Sequence, residues 1–322
     1  MPDAQVNDMK TAAVIAAAGL SSRMHEFKPL LTLDGSTVIG TLIAALKEAG
    51  IEEIIVTTGY KSDILTPYLE SIGVKSCYNP AYAESTMYDS VCIGIKALEQ
   101  PYDKLFIMPG DVPLVEASTI KKMMKTAGDI VRPVCMGTTG HPVMFSRGSV
   151  PLILSHSGEN GLEGAINAII GSGKKLKDIE VDDNGTLLDA DTKEDFQVLR
   201  KEVMQRKGEK GFWANVEISI GKGDIVFSPE SVQFLEMIDH CGSIQSACSC
   251  MHMSYSKGWK MLNSMEANLG FRLVERQNGG AGGGGTTLTE EGKKYVEAYQ
   301  LYRHNVLKYA EESFDYYFRR GK

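Results

Sequence analysis

The stretch Ala13-Val-Ile-Ala-Ala-Ala-Gly-Leu-Ser-Ser-Arg-Met-His-Glu-Phe-Lys-Pro-Leu-Leu31 organises the rest of the chain. It opens with a short apolar run, residues 12–17, of the kind that forms a strand buried on both faces of a parallel sheet. The run breaks at Gly19 into a loop of small residues, Gly19-Leu20-Ser21-Ser22, and two cations follow, Arg23 and Lys28. Glycine lets a backbone come close to a ligand. Successive N–H groups in such a turn form an anion cradle. Arg23 would meet phosphate oxygens as a fork, and Lys28 as a point charge. A strand leading into a small-residue loop with Arg and Lys is what a nucleoside triphosphate site needs. The stretch lacks the Lys-Ser/Thr ending of a P-loop, and it lacks G-x-G-x-x-G.

Working outward, strands alternate with helices. Residues 37–49 read as a helix stopped by Gly50, 51–58 as a strand and 63–71 as a helix. Residues 74–78 are a short strand, 87–98 a helix with Ser85 or Thr86 near its start, and 104–108 a buried strand. This alternation predicts an α/β domain: a three-layer, Rossmann-like fold with a mostly parallel sheet and helices on both faces. Ligands in such sheets sit outside the carboxyl ends of the strands. The loop after the first strand and the loop Pro109-Gly-Asp-Val-Pro-Leu114 therefore belong to one edge. Asp111, at the end of a central strand beside a triphosphate cradle, is placed to hold Mg²⁺, which takes one or two carboxylates plus phosphate oxygens and water.

The chain has 322 residues and a net charge of −7, with a pI near 5.5. This length suits two domains, and the charge argues against broad attraction to nucleic acid. No run approaches the length of a membrane span, and residues 1–10 lack the apolar core of a signal peptide. Six cysteines in a chain of this size make no disulfide framework, which fits a reducing cytoplasm. Composition shifts near residue 200, and the charged run 201–211 separates an α/β part from a helix-rich part. The expected division is residues 1–205, a linker 206–215 and residues 216–322.

Ala17, Ala18, Gly19, Ser21, Arg23, Met24, Lys28, Leu30 and Leu31 match the pattern A-A-G-x-S-x-R-M-G-x-x-K-x-L-L. On these residues the first part resembles the MobA-like nucleotidyltransferases; His25 stands where that family usually has Gly. Gly110-Asp-Val-Pro-Leu114 resembles the family's metal-binding motif. Asp189-Ala-Asp-Thr-Lys-Glu-Asp195 resembles its D-I-D-T-P-E-D segment, with Lys193 where Pro is common. The resemblance implies Asp191 as a second metal ligand; by residue type the same segment is a helix start, with Asp191 or Thr192 as cap. We expect Asp191 to do both. Asn79-Pro-x-Tyr82 and Met87-x-x-Ser90-Val91 match a further segment, in which Ser90 approaches the nucleotide. Gly140-His-Pro142 resembles the turn of the molybdenum cofactor cytidylyltransferase branch. It implies an acceptor contact for His141, which can equally be a structural histidine before a proline-started strand.

The implied reaction is transfer of CMP from CTP to molybdopterin with release of pyrophosphate. Mg²⁺ would sit on Asp111 and Asp191, Lys28 would act at the α-phosphate and Arg23 at the β and γ phosphates. Ala17, Ala18, Gly19, Ser21, Ser22, Arg23, Lys28 and Ser90 would bind the nucleotide. Guanylyltransferases of the family typically read L-A-G-G where this chain has Ala16-Ala-Ala-Gly19, and the methyl of Ala18 narrows a base pocket. CTP is therefore favoured over GTP. A sugar-phosphate acceptor, or a regulator whose transferase fold only senses ligand, are the rival readings.

In the second part, Ser228-Pro-Glu starts a helix, 243–251 and 254–269 are two more, and a strand pair flanks the glycine run 279–285. Val216–Ile220 and 224–227 suggest a short hairpin. The span 242–292 resembles the winged helix-turn-helix DNA-binding domain of the molybdate-responsive repressor, without its molybdate-binding module. Ser254, Tyr255, Ser256, Lys257 and Lys260 lie where a recognition helix reads bases. Against this, basic and acidic residues over 213–322 nearly balance, 12 to 13, whereas a DNA binder usually shows a basic footprint. The alternative is a module for homodimerisation or for contacting a partner. Cys241, Cys248, Cys250 and His252 are zinc-ligand types without a standard finger spacing, and small core cysteines are the commoner case. Trp259 and 261–265 read by spacing as helix core.

Overall fold

The computed structural model describes residues 9–20, 27–33, 36–206, 214, 216–276 and 285–319. The chain forms two compact units that divide after Lys207. The first begins with β1 (Thr11–Ala17), a 3-10 turn (Lys28–Leu30), the antiparallel pair β2 (Thr32–Leu33) and β3 (Ser36–Thr37), and α1 (Val38–Glu48). There follow β4 (Glu53–Thr58), α2 (Ser62–Ser71), β5 (Lys75–Tyr78), α3 (Met87–Lys96), β6 (Lys104–Pro109) and α4 (Ala117–Lys125). The unit closes with β7 (Ile130–Cys135), β8 (Thr138–Thr139), β9 (Val143–Ser146), α5 (Val150–Ser155), α6 (Gly161–Gly171), β10 (Leu176–Glu180) and α7 (Lys193–Arg206).

The sheet order is β10-β7-β9-β6-β1-β4-β5, with β8 paired to β7. β1 lies between β6 and β4, parallel to both, and β9 runs antiparallel to its two neighbours. Side chains alternate across a strand, so β1 supplies both core layers. Ala13, Ile15 and Ala17 face Ile39, Leu42 and Leu46 of α1, Leu65 and Leu69 of α2, and Ile120 and Met123 of α4. Ala12, Val14 and Ala16 share the other layer with Val91 and Ile95 of α3, Ile153 of α5 and Ile166 and Ile169 of α6. This is why the run has no polar residue between 12 and 18. α3 lies directly on the sheet through Gly94, where a Cβ would come within 2.5 Å of Val14 and 2.7 Å of Thr57. Thr37 caps α1, and Thr86 caps α3 in a reciprocal box with Asp89.

The second unit contains β11 (Ile220–Lys222), β12 (Asp224–Phe227), α8 (Pro229–Cys241), α9 (Ile244–Cys250), α10 (Tyr255–Leu269), β13 (Val274–Arg276), β14 (Thr286–Leu288) and α11 (Glu290–Phe314). Ser228, Ser243 and Ser254 cap the three core helices, and Gly242 and Gly270 end α8 and α10 in the left-handed conformation. The first hairpin strand starts at Ile220, later than expected, because Ile218 is drawn into the core and its carbonyl accepts from Tyr299 Oη at 2.8 Å.

Trp259 corrects the sequence expectation: it is 37% exposed. The face of α10 that packs inward carries Gly258, Leu262 and Met265. A Cβ on Gly258 would come within 2.4 Å of Cys248 Sγ and 2.8 Å of the Phe234 ring, so only glycine admits this approach. Trp259, about 100° further round the helix, stacks instead on exposed Tyr255, rings 6.3 Å apart and 9° from parallel. Among the described residues, no helix is long and apolar enough to cross a membrane.

Candidate active site

Three loops meet at the carboxyl edge of β1 and β6. Ala17 and Ala18 are buried at the end of β1, and among the described residues nothing stands within 4 Å of where a side chain on Gly19 would project. Gly110 N–H donates to the Ala16 carbonyl at 2.9 Å, which stitches the loop after β6 onto β1. On the opposite flank the Ala18 carbonyl accepts from Tyr60 N–H at 3.2 Å. Gly59 permits that contact, since a Cβ there would lie 2.6 Å from the Ala18 carbonyl oxygen and 2.5 Å from Tyr82 Cβ. Ser21, Ser22 and Arg23 lie outside the described residues.

The third loop, 189–192, precedes α7. Ala190 N–H donates to the Asp111 carbonyl at 2.9 Å and joins the two acidic segments. Their side chains converge on Lys28, whose Nζ donates to Asp191 Oδ1 at 2.6 Å and lies 3.6 Å from Asp111 Oδ2. The Lys28 side chain is 12% exposed, so the pair is held against the fold rather than in open solvent. Asp191 does not cap the helix as expected. Thr192 does: its Oγ1 accepts from Asp195 N–H at 3.1 Å, and Thr192 N–H donates to Asp195 Oδ2 at 2.9 Å. Thr192 thereby releases Asp191 to face Lys28.

Asp189 is a site residue that the sequence reading passed over, although it stood in the quoted motif. Asp189 Oδ1 accepts from Asp191 N–H at 3.3 Å, a local turn that keeps the two acidic residues together. Burial, then Asp191 and Asp111, push the Asp189 carboxyl up. Burial also pushes Asp111 up, opposed by Lys28 and reinforced by Asp191. Asp111 and Asp191 thus share the Lys28 ammonium, and the Asp189 carboxyl lies within electrostatic reach of both. Among the described residues no three such side chains are gathered around a preformed metal position. The donor set nevertheless fits Mg²⁺: hard oxygen donors on one or two carboxylates, the remaining positions left to phosphate and water.

His141 lies in the turn between β8 and β9. Its N–H donates to the Thr186 carbonyl at 2.8 Å, and Gly140 packs so closely on Thr186 that a Cβ would meet that oxygen at 2.5 Å. Among the described residues its buried Nδ1 has no hydrogen-bond partner. Burial lowers its pKa while Asp189 opposes the shift, which places the imidazole near the acidic loop. Ser90 has a different setting from the one expected of a nucleotide contact. It is 3% exposed, and its Oγ accepts from Asn79 Nδ2 at 3.0 Å. Asn79, itself buried, also binds Ser85 Oγ at 2.8 Å, so Ser90 secures the loop that leads into α3. Asp183 is a second residue that the sequence did not signal. Its buried carboxylate accepts from Glu116 N–H at 2.9 Å, Gly185 N–H at 3.1 Å and Arg206 Nη2 at 3.0 Å, bracing the loop after Asp111 against α7.

In the second unit, Ser254 Oγ is occupied as a helix cap by Lys257 N–H at 3.2 Å, and Lys257 Nζ pairs with Glu230 Oε1 at 2.5 Å. Of the five residues expected to face bases, Tyr255, Ser256 and Lys260 are exposed without those ties.

Residues 13–175 match the family model of the MobA-like NTP transferase domain. Residues 229–293 match that of the bacterial regulatory helix-turn-helix protein, lysR family. The molybdenum cofactor cytidylyltransferase of Escherichia coli K12 is 26% identical over 57% of this chain and 92% of its own length. The transcriptional regulator ModE of Yersinia pestis is 37% identical over 23% of this chain, which spans only 28% of that regulator. Among solved structures, a nucleotidyl transferase from Methanothermobacter thermautotroptrophicus superposes with a TM-score of 0.55 at 22% identity, covering 62% of this chain and all of that one.

Proposed function

The chain belongs to the MobA-like NTP transferase family, joined to a helix-turn-helix of the bacterial regulatory type, and from that premise we propose that it transfers CMP from CTP to molybdopterin with release of pyrophosphate. The observation that carries this is the convergence of Lys28, Asp111 and Asp191 at the carboxyl edge of β1 and β6. The likeness of the first unit to a molybdenum cofactor cytidylyltransferase supports the acceptor and the base.

In this reading the backbone from Ala17 to Gly19, with Ser21, Ser22 and Arg23, receives the triphosphate. Lys28 leaves the carboxylates for the α-phosphate, where negative charge grows as the acceptor phosphate oxygen attacks phosphorus and pyrophosphate departs. Arg23 meets the β and γ phosphates. Asp111 and Asp191 would hold Mg²⁺, which supplies charge neutralisation to the phosphates when bound. His141, whose imidazole lies near the acidic loop, is read as contacting the acceptor. Positioning and electrostatics carry such a reaction, and little covalent chemistry falls to the protein.

The test is pyrophosphate release with molybdopterin and Mg²⁺, comparing CTP, GTP and ATP, alongside Asp111→Ala. Release with CTP alone, lost in the variant, is expected. Release with GTP would reverse the argument from Ala18, and no release with any nucleotide would leave a ligand-sensing regulator.

The second unit is read as binding DNA through α10, in a cytoplasmic protein that pairs with a second copy along α11. Exposed Tyr255 and Lys260 favour the first role. The second is favoured by Tyr302 and Tyr309, 52% and 72% exposed, spaced with Val306 along one stripe of α11. Lys260→Ala is expected to weaken DNA binding and lower its salt slope by about 1. Tyr302→Glu is expected to shift the mass in solution to that of a monomer.

A further inference from the structure

Cys241 ends α8 and Cys250 ends α9, and their sulfurs lie 3.8 Å apart. We propose that these two thiols form a reversible disulfide, a redox modification site in the helix-turn-helix unit. Sulfurs in this contact must close by about 1.8 Å to reach a bond of about 2.05 Å. Both residues occupy the last position of a helix, where the backbone yields most easily, and Gly242 follows Cys241 at once in the left-handed conformation. Both are half-buried, so a small oxidant can reach them. Cys248, two residues before Cys250, is closed off: it is 2% exposed and walled by α10 at Gly258. Metal capture by the same pair is disfavoured, because a closed zinc site takes four ligands and among the described residues no third ligating group is gathered with them.

The bond would have a mechanical consequence. The last turn of α8 already carries the base of the β13–β14 hairpin. Gly242 O accepts from Thr286 N–H at 2.7 Å, and Asp239 Oδ1 accepts from Leu288 N–H at 2.8 Å. A disulfide would fix the end of α9, and the turn into α10, to that same anchor.

The chemistry balances with hydrogen peroxide as oxidant. One thiolate attacks a peroxide oxygen, the O–O bond breaks, hydroxide leaves and a sulfenic acid forms. The second sulfur then attacks the sulfenic sulfur, the S–O bond breaks and hydroxide leaves. The two thiol protons meet the two hydroxides as water, so two electrons pass from the dithiol to the peroxide. Burial and the neighbouring Cys250 push the Cys241 thiol up to about 12. Oxidation that starts at Cys241 should therefore be slow near neutrality and quicken as pH rises.

The test treats the full chain with hydrogen peroxide in mild alkali, alkylates the free thiols and digests with trypsin. No Lys or Arg lies between Lys222 and Lys257, so one peptide carries all three cysteines. The expected result is a fall from three alkylatable thiols to one, the survivor being Cys248, reversed by dithiothreitol. Cys248→Ala is expected to keep the cross-link, and Cys241→Ser and Cys250→Ser to abolish it. A cross-link that persists in Cys241→Ser, three alkylatable thiols after oxidation of the folded chain, or stoichiometric zinc in the purified chain would each overturn the proposal.

Discussion

Replacing Lys28 by Met should make the nucleotide-free protein bind a divalent cation more tightly while abolishing transfer. Lys28 now rests on both carboxylates assigned to the metal, 2.6 Å from Asp191 and 3.6 Å from Asp111. A cation arriving alone has to displace the ammonium from each. Unit charges about 4 Å apart interact by about 1 kcal/mol in bulk water and about 4 kcal/mol near a protein surface. Taking the lower figure for each contact, competition with Lys28 costs the cation about 2 kcal/mol, or roughly 30-fold in affinity. Titration calorimetry with Mg²⁺ or Mn²⁺ in the absence of nucleotide measures this directly. Lys28→Met is expected to bind roughly 30-fold more tightly than the native chain, and Lys28→Arg, which keeps the charge, to remain weak. Equal or weaker binding by Lys28→Met would refute the reasoning, since the ammonium would then not compete for the cation position. The logic extends to nucleotide: a triphosphate that draws Lys28 away should itself raise cation affinity, coupling the two ligands.

Asp111→Asn should cut pyrophosphate release by about 10²–10³ without lowering the thermal midpoint of the nucleotide-free chain, because burial works against the charged carboxyl there. Asp189 gives a signed pH effect. Its folded carboxyl holds a proton to higher pH than an ordinary carboxylate. Stability therefore falls as pH rises from the ordinary carboxylate range through the raised one, and Asp189→Asn should flatten urea midpoints measured between about pH 4 and about pH 7. Asp183→Ala should destabilise the first unit by about 1–3 kcal/mol in denaturant titration, since it leaves the Glu116 and Gly185 amides unpaired while Arg206 keeps Glu202, Leu114 and Asn184. Gly258→Ala should cost about 1–3 kcal/mol by forcing α10 off Cys248 and Phe234. A second calorimetric transition unchanged by that substitution would contradict the packing described.

Local chemistry is legible in sequence where one residue type answers one requirement. The unbroken apolar run of 12–17 could only be a strand covered on both faces, and the order of strands and helices left a mostly parallel sheet as the consistent arrangement. The cap at Ser228, and a helix start at Ser85 or Thr86, followed from side chains able to accept an N–H; Thr37 and Ser254 proved to be caps as well. Apart from the strand after Pro142, the elements between 115 and 180 were not foreseen. β9 is four residues long and α5 six, so neither carries a strong period. Trp259 was misjudged because helical spacing identifies a face but not which face packs; a glycine beside it, invisible to any hydrophobicity argument, decided that.

The sequence by itself determined that a small-residue loop with Arg23 and Lys28 follows a buried strand, that Asp111 ends another, and that a helix-turn-helix follows. Those are properties of neighbours in the chain, set by hydrophobic period, capping and turn chemistry. Only the tertiary structure decided that Lys28 and Asp191, 163 residues apart, form one ion pair, that Asp189 joins them, and that Cys241 meets Cys250. Strand order and helix packing bring distant segments to one edge, and contact energies fall off within a few ångströms. A pairing of that kind exists only once the sheet and the helices have placed its members side by side.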